Sequence, residues 1–194
     1  VCVPTRAAVH SGVSIFRATP GSRTEYQGHL TIDPQHVLMA QNFGNHGYRT
    51  FGTGKWHNDR ASFNRSFQSG ANIFFGGMGD QYRIPVHEYD PSGEYPTEKA
   101  TRGDGFSTEI FCDSAIEFLD GRRGEEAPFF LYMALTSPHD PRMAPKPFSD
   151  MYRPADMPIP PNFMGEHPFD NGDLVLRDEL LTPLPQTHAA VQRH

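Results

Sequence analysis

The sequence has little cysteine, no excess of positive charge and no long apolar run. Its 194 residues include two cysteines, Cys2 and Cys112, which are too few for a disulfide framework. The formal net charge is −6, so the surface as a whole offers no attraction to nucleic acid or to an anionic membrane. No stretch approaches the ~20 apolar residues of a membrane-spanning helix, and no signal peptide is visible. We therefore expect no nucleic-acid partner and no membrane span.

Glycine and proline are abundant, with 18 residues each, and favour long irregular loops over a helical bundle. Hydrophobic residues make up 37% of the chain, enough for one sizeable core. The chain has no initiator methionine and starts inside a motif, so we expect an interior piece of a longer protein. A repeated order of helix, glycine, strand and polar loop predicts an α/β fold, whose sites lie beyond strand ends.

Two short helices are predicted from start and stop signals. The first has Pro4 at its first position, runs over residues 5–10 and stops at Ser11-Gly12. The second has Asp33 as N-cap and Pro34 as its first residue, and residue 47, a glycine, ends it. Residues 13–30 between them are predicted to be a loop.

The strongest helix signal covers residues 106–120. Apolar side chains recur there at helical spacing and predict one buried face, formed by Cys112, Ala115, Ile116 and Leu119. Cys112 is accordingly interpreted as a buried structural thiol. Residues 187–194 are interpreted as the beginning of another helix.

Three segments are predicted to be strands, over residues 48–53, 71–75 and 128–135. The last is a continuous apolar run, which indicates a strand buried on both faces. Residues 58–69 are polar, and residues 78–105 and 145–185 have the composition of irregular loops. A loop as long as 78–105 inside a compact domain is typical of a functional segment, often a binding rim, or of a mobile one.

The first candidate site is Cys2-x-Pro4-x-Arg6. The helix predicted at Pro4 leaves Cys2 just outside a helix N-terminus, where free backbone N–H groups and the helix dipole attract anions. Arg6 adds a fixed positive charge one turn further on. The pattern places a sulfur nucleophile, or a group made from it, where an anionic ester could bind. A cysteine phosphatase is excluded, because Cys2 and Arg6 are too close for its phosphate loop.

Two further motifs follow predicted strands. In Gly54-Lys55-Trp56-His57, Lys55 and His57 are alternate residues, so an extended backbone would point both into one pocket. By itself, a Lys-x-His pair is more often an exposed lysine and a surface histidine. In residues 137–141, Ser-Pro-His-Asp-Pro, His139 stands at a strand end, and by itself this segment would be a turn.

These three motifs, with Ser11-Gly12 after the first, resemble in type and order the signatures of the type I sulfatases, which are formylglycine-dependent members of the alkaline-phosphatase-like superfamily. The resemblance implies an α/β fold with a mixed central sheet flanked by helices, incomplete in this chain. Residues 1–194 would be part of the N-terminal catalytic sulfatase domain, truncated at both ends. The fragment resembles bacterial polysaccharide and aryl sulfatases, which implies a periplasmic or extracellular location.

The resemblance implies hydrolysis of sulfate esters, on a sulfated carbohydrate or an aryl sulfate. In the family, a maturase oxidises the motif cysteine, here Cys2, to formylglycine. One hydroxyl of the hydrated aldehyde attacks sulfur and forms a covalent sulfate, and deprotonation of the other hydroxyl expels sulfate. By the same resemblance Arg6 stabilises the charge, Lys55 and His57 contact the sulfate and the leaving oxygen, and His139 helps to hold the sulfate.

The remaining histidines carry no family pattern. His10, on the motif helix, is interpreted as packing or as supporting the site from behind. We expect the others at the surface, namely His29, His36, His46, His87, His167 and His188.

The family binds one Ca²⁺, for which Cys2 as formylglycine would be a ligand and the other ligands would lie outside this chain. The pair Asp170-Asn171 resembles a family ligand pair in letters only and is interpreted as a turn. Two alternatives stay open at this point. One is a phosphodiesterase or phosphonate monoester hydrolase of the same superfamily, and the other is a non-catalytic homologue that binds sulfated glycans.

Overall fold

The computed structural model describes residues 2–20, 30–166, 168–169 and 184–193. The chain forms two compact units, Val1–Met143 and Ala144–His194. The helices of the first unit are α1 (Cys2–Ser11), α2 (Ile15–Ala18), α3 (Met39–Asn45), α4 (Arg60–Ser66) and α5 (Ser107–Asp120). Its strands are β1 (Arg49–Lys55), β2 (Ser69–Phe74), β3 (Pro85–Val86), β4 (Thr101–Arg102) and β5 (Phe129–Ala134), with a 3₁₀ turn at Thr97–Lys99.

The central sheet has the order β2-β1-β5, and both of its strand pairs are parallel. Gly52 of β1 lies opposite Gly70 of β2 and Tyr132 of β5. Helix α4 connects β1 to β2, and α5 precedes β5, as parallel pairing requires. This confirms the predicted α/β class; the antiparallel pair β3-β4 forms a separate small sheet. The carboxyl end of the central strand, at Lys55, is where such folds place their sites.

An aromatic core fixes the backbone just beyond that strand end. Trp56 is fully buried, and its ring contacts Phe63 and Phe67 at centroid distances of 5.4 and 5.7 Å. Gly52 makes room for this cluster, because a Cβ there would lie 2.9 Å from both phenylalanine rings. Trp56 therefore anchors the chain between Lys55 and His57.

The helix starts differ from the predicted ones. Helix α1 already includes Cys2, and it ends at Ser11, followed by Gly12 at φ +70° as its stop signal predicts. Asp33 caps no helix: its carboxylate accepts a hydrogen bond from the amide of Gln35 (2.9 Å) and closes a turn, and α3 begins at Met39. The predicted loop of residues 13–30 contains the short helix α2.

Helix α4 was not predicted, because residues 58–69 are mostly polar. The signal was Asp59, whose Oδ1 accepts a hydrogen bond from the amide of Ser62 (2.8 Å) as a helix N-cap. Phe63 and Phe67, four residues apart, then anchor this segment in the core.

Helix α5 and strand β5 occur where predicted, but the residues that each of them buries differ from the predicted ones. The buried residues of α5 are Ser107, Phe111, Ser114 and Ala115, whereas Ile116 is 55% exposed and Cys112 is half-buried. Phe129 and Met133 of β5 are exposed as well, so the strand is not buried on both faces. The reason is topological, since β5 stands at the edge of the described sheet.

The second unit is formed mainly by short elements: α6 (Lys146–Ser149), a 3₁₀ turn at Pro154–Asp156 and α7 (His188–Arg193). Gln192 of α7 donates a hydrogen bond to the carbonyl of Met157 (2.8 Å), and the predicted terminal helix is thereby confirmed. His29, His167 and the Asp170-Asn171 pair lie outside the described residues. Among the residues described, no helix has both the length and the apolar character needed to cross a membrane.

Candidate active site

The site is built around Cys2 in the first turn of α1. Arg6 lies one turn further along the same helix, and its Nε donates a hydrogen bond to Cys2 Sγ at 3.2 Å. The spacing of four residues places both side chains on one helix face. The predicted pairing of Cys2 with Arg6 is therefore a direct contact in the structure.

Arg6 also connects α1 to the sheet. Its Nη1 donates to the carbonyl of Lys55 at 2.5 Å and to the hydroxyl of Tyr132 at 3.0 Å. The guanidinium thereby joins Cys2, the end of β1 and the middle of β5. A planar group with five N–H donors can make these bonds together and still be held in one orientation.

Lys55 is the last residue of β1 and is only 2% exposed. Its ammonium group donates a hydrogen bond to the carbonyl of Gly77. A buried ammonium is costly unless neighbouring groups stabilise its charge. Lys55 therefore favours an anion in its surroundings.

His57 completes the group. Its Nδ1 lies 3.4 Å from Cys2 Sγ, and its backbone has a φ of +58°, unusual for a residue other than glycine. On the other side of the ring, a Cβ added to Gly77 would come within 2.6 Å of Nε2, so only glycine leaves room for the imidazole there. His57 is thus held between Cys2 and the backbone of Gly77.

The electrostatics of Cys2 favour its anionic form. Burial acts to raise the pKa of the Cys2 thiol, but the hydrogen bond and charge of Arg6, together with the charge and hydrogen bond of Lys55, outweigh it and bring the pKa below its ordinary value. The same cations would stabilise any other anion at this position.

His139 is positioned by a different set of contacts. Its carbonyl accepts a hydrogen bond from Gln81 Nε2 at 3.3 Å. The oxygen of that amide accepts from the hydroxyls of Ser107 (2.6 Å) and Thr136 (2.7 Å), so the turn after β5 is attached to α5 and to the long loop. His139 Nδ1 is buried and has no hydrogen-bond partner among the described residues. The structure thus joins Cys2, Arg6, Lys55 and His57 directly, and holds His139 through this buried polar network.

Sequence reasoning missed Tyr132 and Gly77. Burial raises the pKa of the Tyr132 hydroxyl, and the Cys2 charge adds to this while Arg6 opposes it, so Tyr132 remains a neutral partner for Arg6. Its place in an apolar run gave no sign of this role. Gly77 had a weak signal in the Gly76-Gly77 pair, which marks a close approach of backbone.

His10 supports the site from behind, as expected. Its ring is 1% exposed and packs against Trp56 and Tyr132 at centroid distances of 4.3 and 4.7 Å. Burial and the charge of Arg6 lower the pKa of His10 to about 4, so the imidazole is neutral at pH 7.

The expectation of surface positions fails for His87, which is 8% exposed because it is bridged to Ile73 of β2 and packs against Phe75. His46 and His188 are exposed, and His36 is partly exposed.

The described residues do not form a calcium site by themselves. No cluster of three or more His, Cys, Asp or Glu side chains occurs within residues 2–20, 30–166, 168–169 and 184–193. Calcium prefers six to eight oxygen ligands, and Cys2 as formylglycine would supply only one part of such a set.

A cation-lined cysteine on a helix, beside the carboxyl end of the central strand of a parallel sheet, defines an α/β protein whose candidate site carries positive charge around a sulfur atom. Residues 1–167 match the family model for the Sulfatase domain. The chain therefore belongs to the sulfatase family.

The relatives it matches are considerably longer. It is 25% identical over 170 residues to an ulvan-active sulfatase of Formosa agariphila, covering 84% of this chain and 31% of that protein. It is 27% identical over 171 residues to the N-acetylgalactosamine-6-sulfatase of Canis lupus familiaris, covering 76% of this chain and 32% of that protein. The chain thus spans about a third of the length of these curated relatives.

The fold is shared with solved structures. One is the structure of BT4656 in complex with its substrate D-glucosamine-2-N,6-O-disulfate, with a TM-score of 0.61 and 24% identity. The match covers 84% of this chain and 30% of that one. At this identity the likeness shows the fold, which is that of the alkaline-phosphatase-like sulfatases.

Proposed function

We propose that the full-length protein hydrolyses sulfate esters of a carbohydrate, and that residues 1–194 are part of its N-terminal catalytic domain. The observation that carries this proposal is the direct contact of Cys2 with both Arg6 and His57, in a chain of the sulfatase family. The names of its relatives, which include an ulvan-active sulfatase and an N-acetylgalactosamine-6-sulfatase, support a sulfated carbohydrate as substrate.

Arg6 and Lys55 supply the charge that sulfate-ester cleavage requires. As the ester bond breaks, negative charge develops on the leaving oxygen, and fixed cations in a water-poor site stabilise it. Arg6 is fixed by Lys55 and Tyr132, and Lys55 by Gly77, so neither side chain has to reorganise during the reaction. The buried Lys55 and the half-buried Arg6 also select for an anionic ester over a neutral one.

His57 is proposed to contact the leaving oxygen of the ester, and His139 is proposed to contact its sulfate group. His57 lies within 3.4 Å of the Cys2 sulfur and is proposed to face a leaving oxygen attached to a group bound there, to which it donates a proton. His139 is proposed to contact the transferred sulfate, and its buried, unpartnered Nδ1 supports a role beyond packing.

We propose that a maturase converts Cys2 to formylglycine, whose hydrated aldehyde supplies a nucleophilic hydroxyl and a second hydroxyl for release of sulfate. The one calcium ion of the family is proposed to take this residue as one ligand and others from outside this chain. A periplasmic or extracellular location is proposed on the resemblance to bacterial polysaccharide sulfatases alone.

The test uses the full-length protein co-expressed with a formylglycine-generating maturase. Turnover of 4-nitrophenyl sulfate and of a panel of sugar monosulfates is measured for the wild type, Cys2→Ala and the matched control Cys112→Ala. We expect hydrolysis by the wild type and Cys112→Ala and none by Cys2→Ala, with an aldehyde at position 2 detected by mass spectrometry.

The two alternatives give different results in the same experiment. A much higher kcat/KM on an aryl phosphodiester than on the aryl sulfate would identify the phosphodiesterase or phosphonate monoester hydrolase instead. Binding of sulfated glycans with an unmodified Cys2 and no turnover of any ester would identify a non-catalytic binding protein.

A further inference from the structure

A cavity of about 300 Å³ is lined by Asn58, Asp59, Arg60 and Phe75. Two of its lining residues, Asn58 and Phe75, are close in the chain to His57 or to the glycine that contacts it. Asn58 is the next residue in the chain, and Phe75 is two residues before Gly77, which lies against the His57 imidazole. Through Asn58, the cavity lining is continuous in the chain with the residue proposed to face the leaving oxygen. Its volume is at the lower end of the ~300–1,000 Å³ of small-molecule sites and suits one sugar unit.

One wall of the cavity is an arginine held over an aromatic ring. The guanidinium carbon of Arg60 lies 5.8 Å from the centroid of Phe75, and Nη1 donates to the carbonyl of Glu94 at 3.1 Å. The Phe75 ring is itself fixed by Tyr95, at a centroid distance of 4.7 Å. Arg60 is thus oriented by the protein, although its side chain reaches solvent.

The neighbouring carboxylate of Asp59 is occupied by hydrogen bonds from backbone amides. Asp59 Oδ1 accepts from the amide of Ser62 and Oδ2 accepts from the amide of Ile32, both at 2.8 Å. The bond to Glu94 occupies one of the five N–H donors of Arg60, so donors are available for a ligand anion.

Asn58 forms the buried part of the lining of the same cavity. The residue is 1% exposed, and its Nδ2 donates to the carbonyl of Trp56 at 3.4 Å. Its Oδ1 is buried and has no hydrogen-bond partner among the described residues. This oxygen is screened from solvent, so recognition of a ligand in the cavity falls to Arg60.

We propose that this cavity binds the sugar that leaves after sulfate-ester cleavage, and that Arg60 recognises a second anionic group on it, either a carboxylate or another sulfate. The inference rests on the proposed sulfatase function. It defines the substrate class more narrowly, as a polyanionic saccharide rather than a singly sulfated one. Because the net charge of the chain is −6, only a local cation such as Arg60 can attract that second anion.

The experiment compares sugar pairs that differ by one anionic group. Galactose and glucosamine monosulfates are paired with their disulfates, and a sulfated disaccharide with an intact uronic acid is paired with its carboxyl-reduced form. We measure kcat/KM for the matured wild type, Arg60→Gln, Arg60→Lys and the control Arg49→Gln, which removes an exposed arginine at the opposite end of β1. We also measure Kd by calorimetry in a Cys2→Ala background.

We expect the wild type to prefer the more anionic member of one pair, which identifies the second group as sulfate or carboxylate. Arg60→Gln should reduce the preference about tenfold, as expected for one lost charge-assisted hydrogen bond, and Arg60→Lys should restore part of it. Arg49→Gln should keep the preference, and added salt should weaken it.

An unchanged preference in Arg60→Gln, or no preference in the wild type, would overturn the inference while sulfate hydrolysis itself stands. Absence of turnover with every sugar, combined with an Arg60-dependent Kd in the Cys2→Ala background, would overturn the proposed function and keep the polyanion subsite.

Discussion

At the scale of single residues, Arg6 assembles the site. Its guanidinium contacts the Cys2 sulfur, the carbonyl of Lys55 and the hydroxyl of Tyr132, which come from a helix and two strands. A lysine has one nitrogen and could not span these three positions. The position of Cys2 relative to the strand end therefore depends on Arg6 as much as on the fold of α1.

The lowered pKa of Cys2 predicts fast alkylation of the unmodified thiol. In full-length protein made without maturase and carrying Cys112→Ser, the pH profile of iodoacetamide labelling should inflect below the ordinary pKa of cysteine. Lys55→Met should raise this inflection, because removal of a positive charge disfavours the thiolate. Arg49→Gln serves as the control, and an equal shift in it would rule out a local effect of Lys55.

His10 predicts a pH-dependent stability. The unfolded chain binds a proton on His10 near pH 6.5, but the folded protein does so only near pH 4, so the unfolded state holds more protons between these values. Stability is then lost as the pH falls from 6.5 towards 4, by roughly 3 kcal/mol in total. His10→Leu should flatten this part of the curve of unfolding free energy against pH, measured by urea denaturation.

The control for that measurement is the exposed histidine His46. A His46→Leu variant should keep the wild-type pH dependence. If His10→Leu and His46→Leu lose stability equally on acidification, the buried imidazole is not the cause.

At the scale of elements, the segment after β2 shapes the site through Gly77. A Cβ at Gly77 would lie 2.6 Å from His57 Nε2, whereas a Cβ at Gly79 would be 4.0 Å from its nearest neighbour, Ile84. Neither glycine has a positive φ, so alanine fits the backbone at both positions. Gly77→Ala should therefore move the imidazole and reduce kcat/KM by about 100-fold, and Gly79→Ala should change it little.

The thermal stability of the two glycine variants decides how the result is interpreted. We expect both to melt close to the wild type. Full activity in Gly77→Ala would show that the His57 ring can shift without consequence, and would remove it from the proposed chemistry.

The hydrophobic periodicity of the sequence did not determine the buried face of α5 or the existence of α4. The 106–120 pattern predicted α5 correctly, but its buried face is displaced from the predicted one: Ala115 is buried as predicted and Phe111 is buried as well, whereas Ile116 is exposed. A stripe of apolar side chains indicates that a helix is amphipathic. Which side chains of the stripe are buried depends on the strand that packs against the helix. Helix α4 was not predicted because its segment is mostly polar and has no apolar stripe. Only two phenylalanines anchor it in the core.

At the scale of the whole molecule, the described first unit leaves apolar surface uncovered on α5 and on the edge strand β5. The exposed side chains include Ile116, Leu119, Phe129 and Met133. An exposed edge strand with apolar residues promotes association. We expect the isolated 194-residue chain to self-associate and to show no sulfatase turnover, as measured by light scattering and by hydrolysis of 4-nitrophenyl sulfate.

A matched pair of variants tests the cause of this association. Met133→Lys places a charge on the exposed side of β5 and should shift the isolated chain towards monomer, whereas Val37→Lys, which alters an exposed residue outside β5, should not. A monomeric, fully active isolated chain would contradict both expectations.

The sequence by itself determined the family, the α/β class and the chemistry of the motifs, because these depend on residue types and spacing along the chain. Cys2 and Arg6 are a local pair whose relation follows from the helix period. The strand period predicted Lys55 and His57 on one face, but β1 ends at Lys55 and His57 has a φ of +58°, so its backbone is not extended. The tertiary structure decided how the pairs meet, through the bonds of Arg6 to Lys55 and Tyr132. It also decided the glycine contact with His57 and the cavity proposed to bind the leaving sugar, since contacts between segments far apart in the chain leave no period in the sequence.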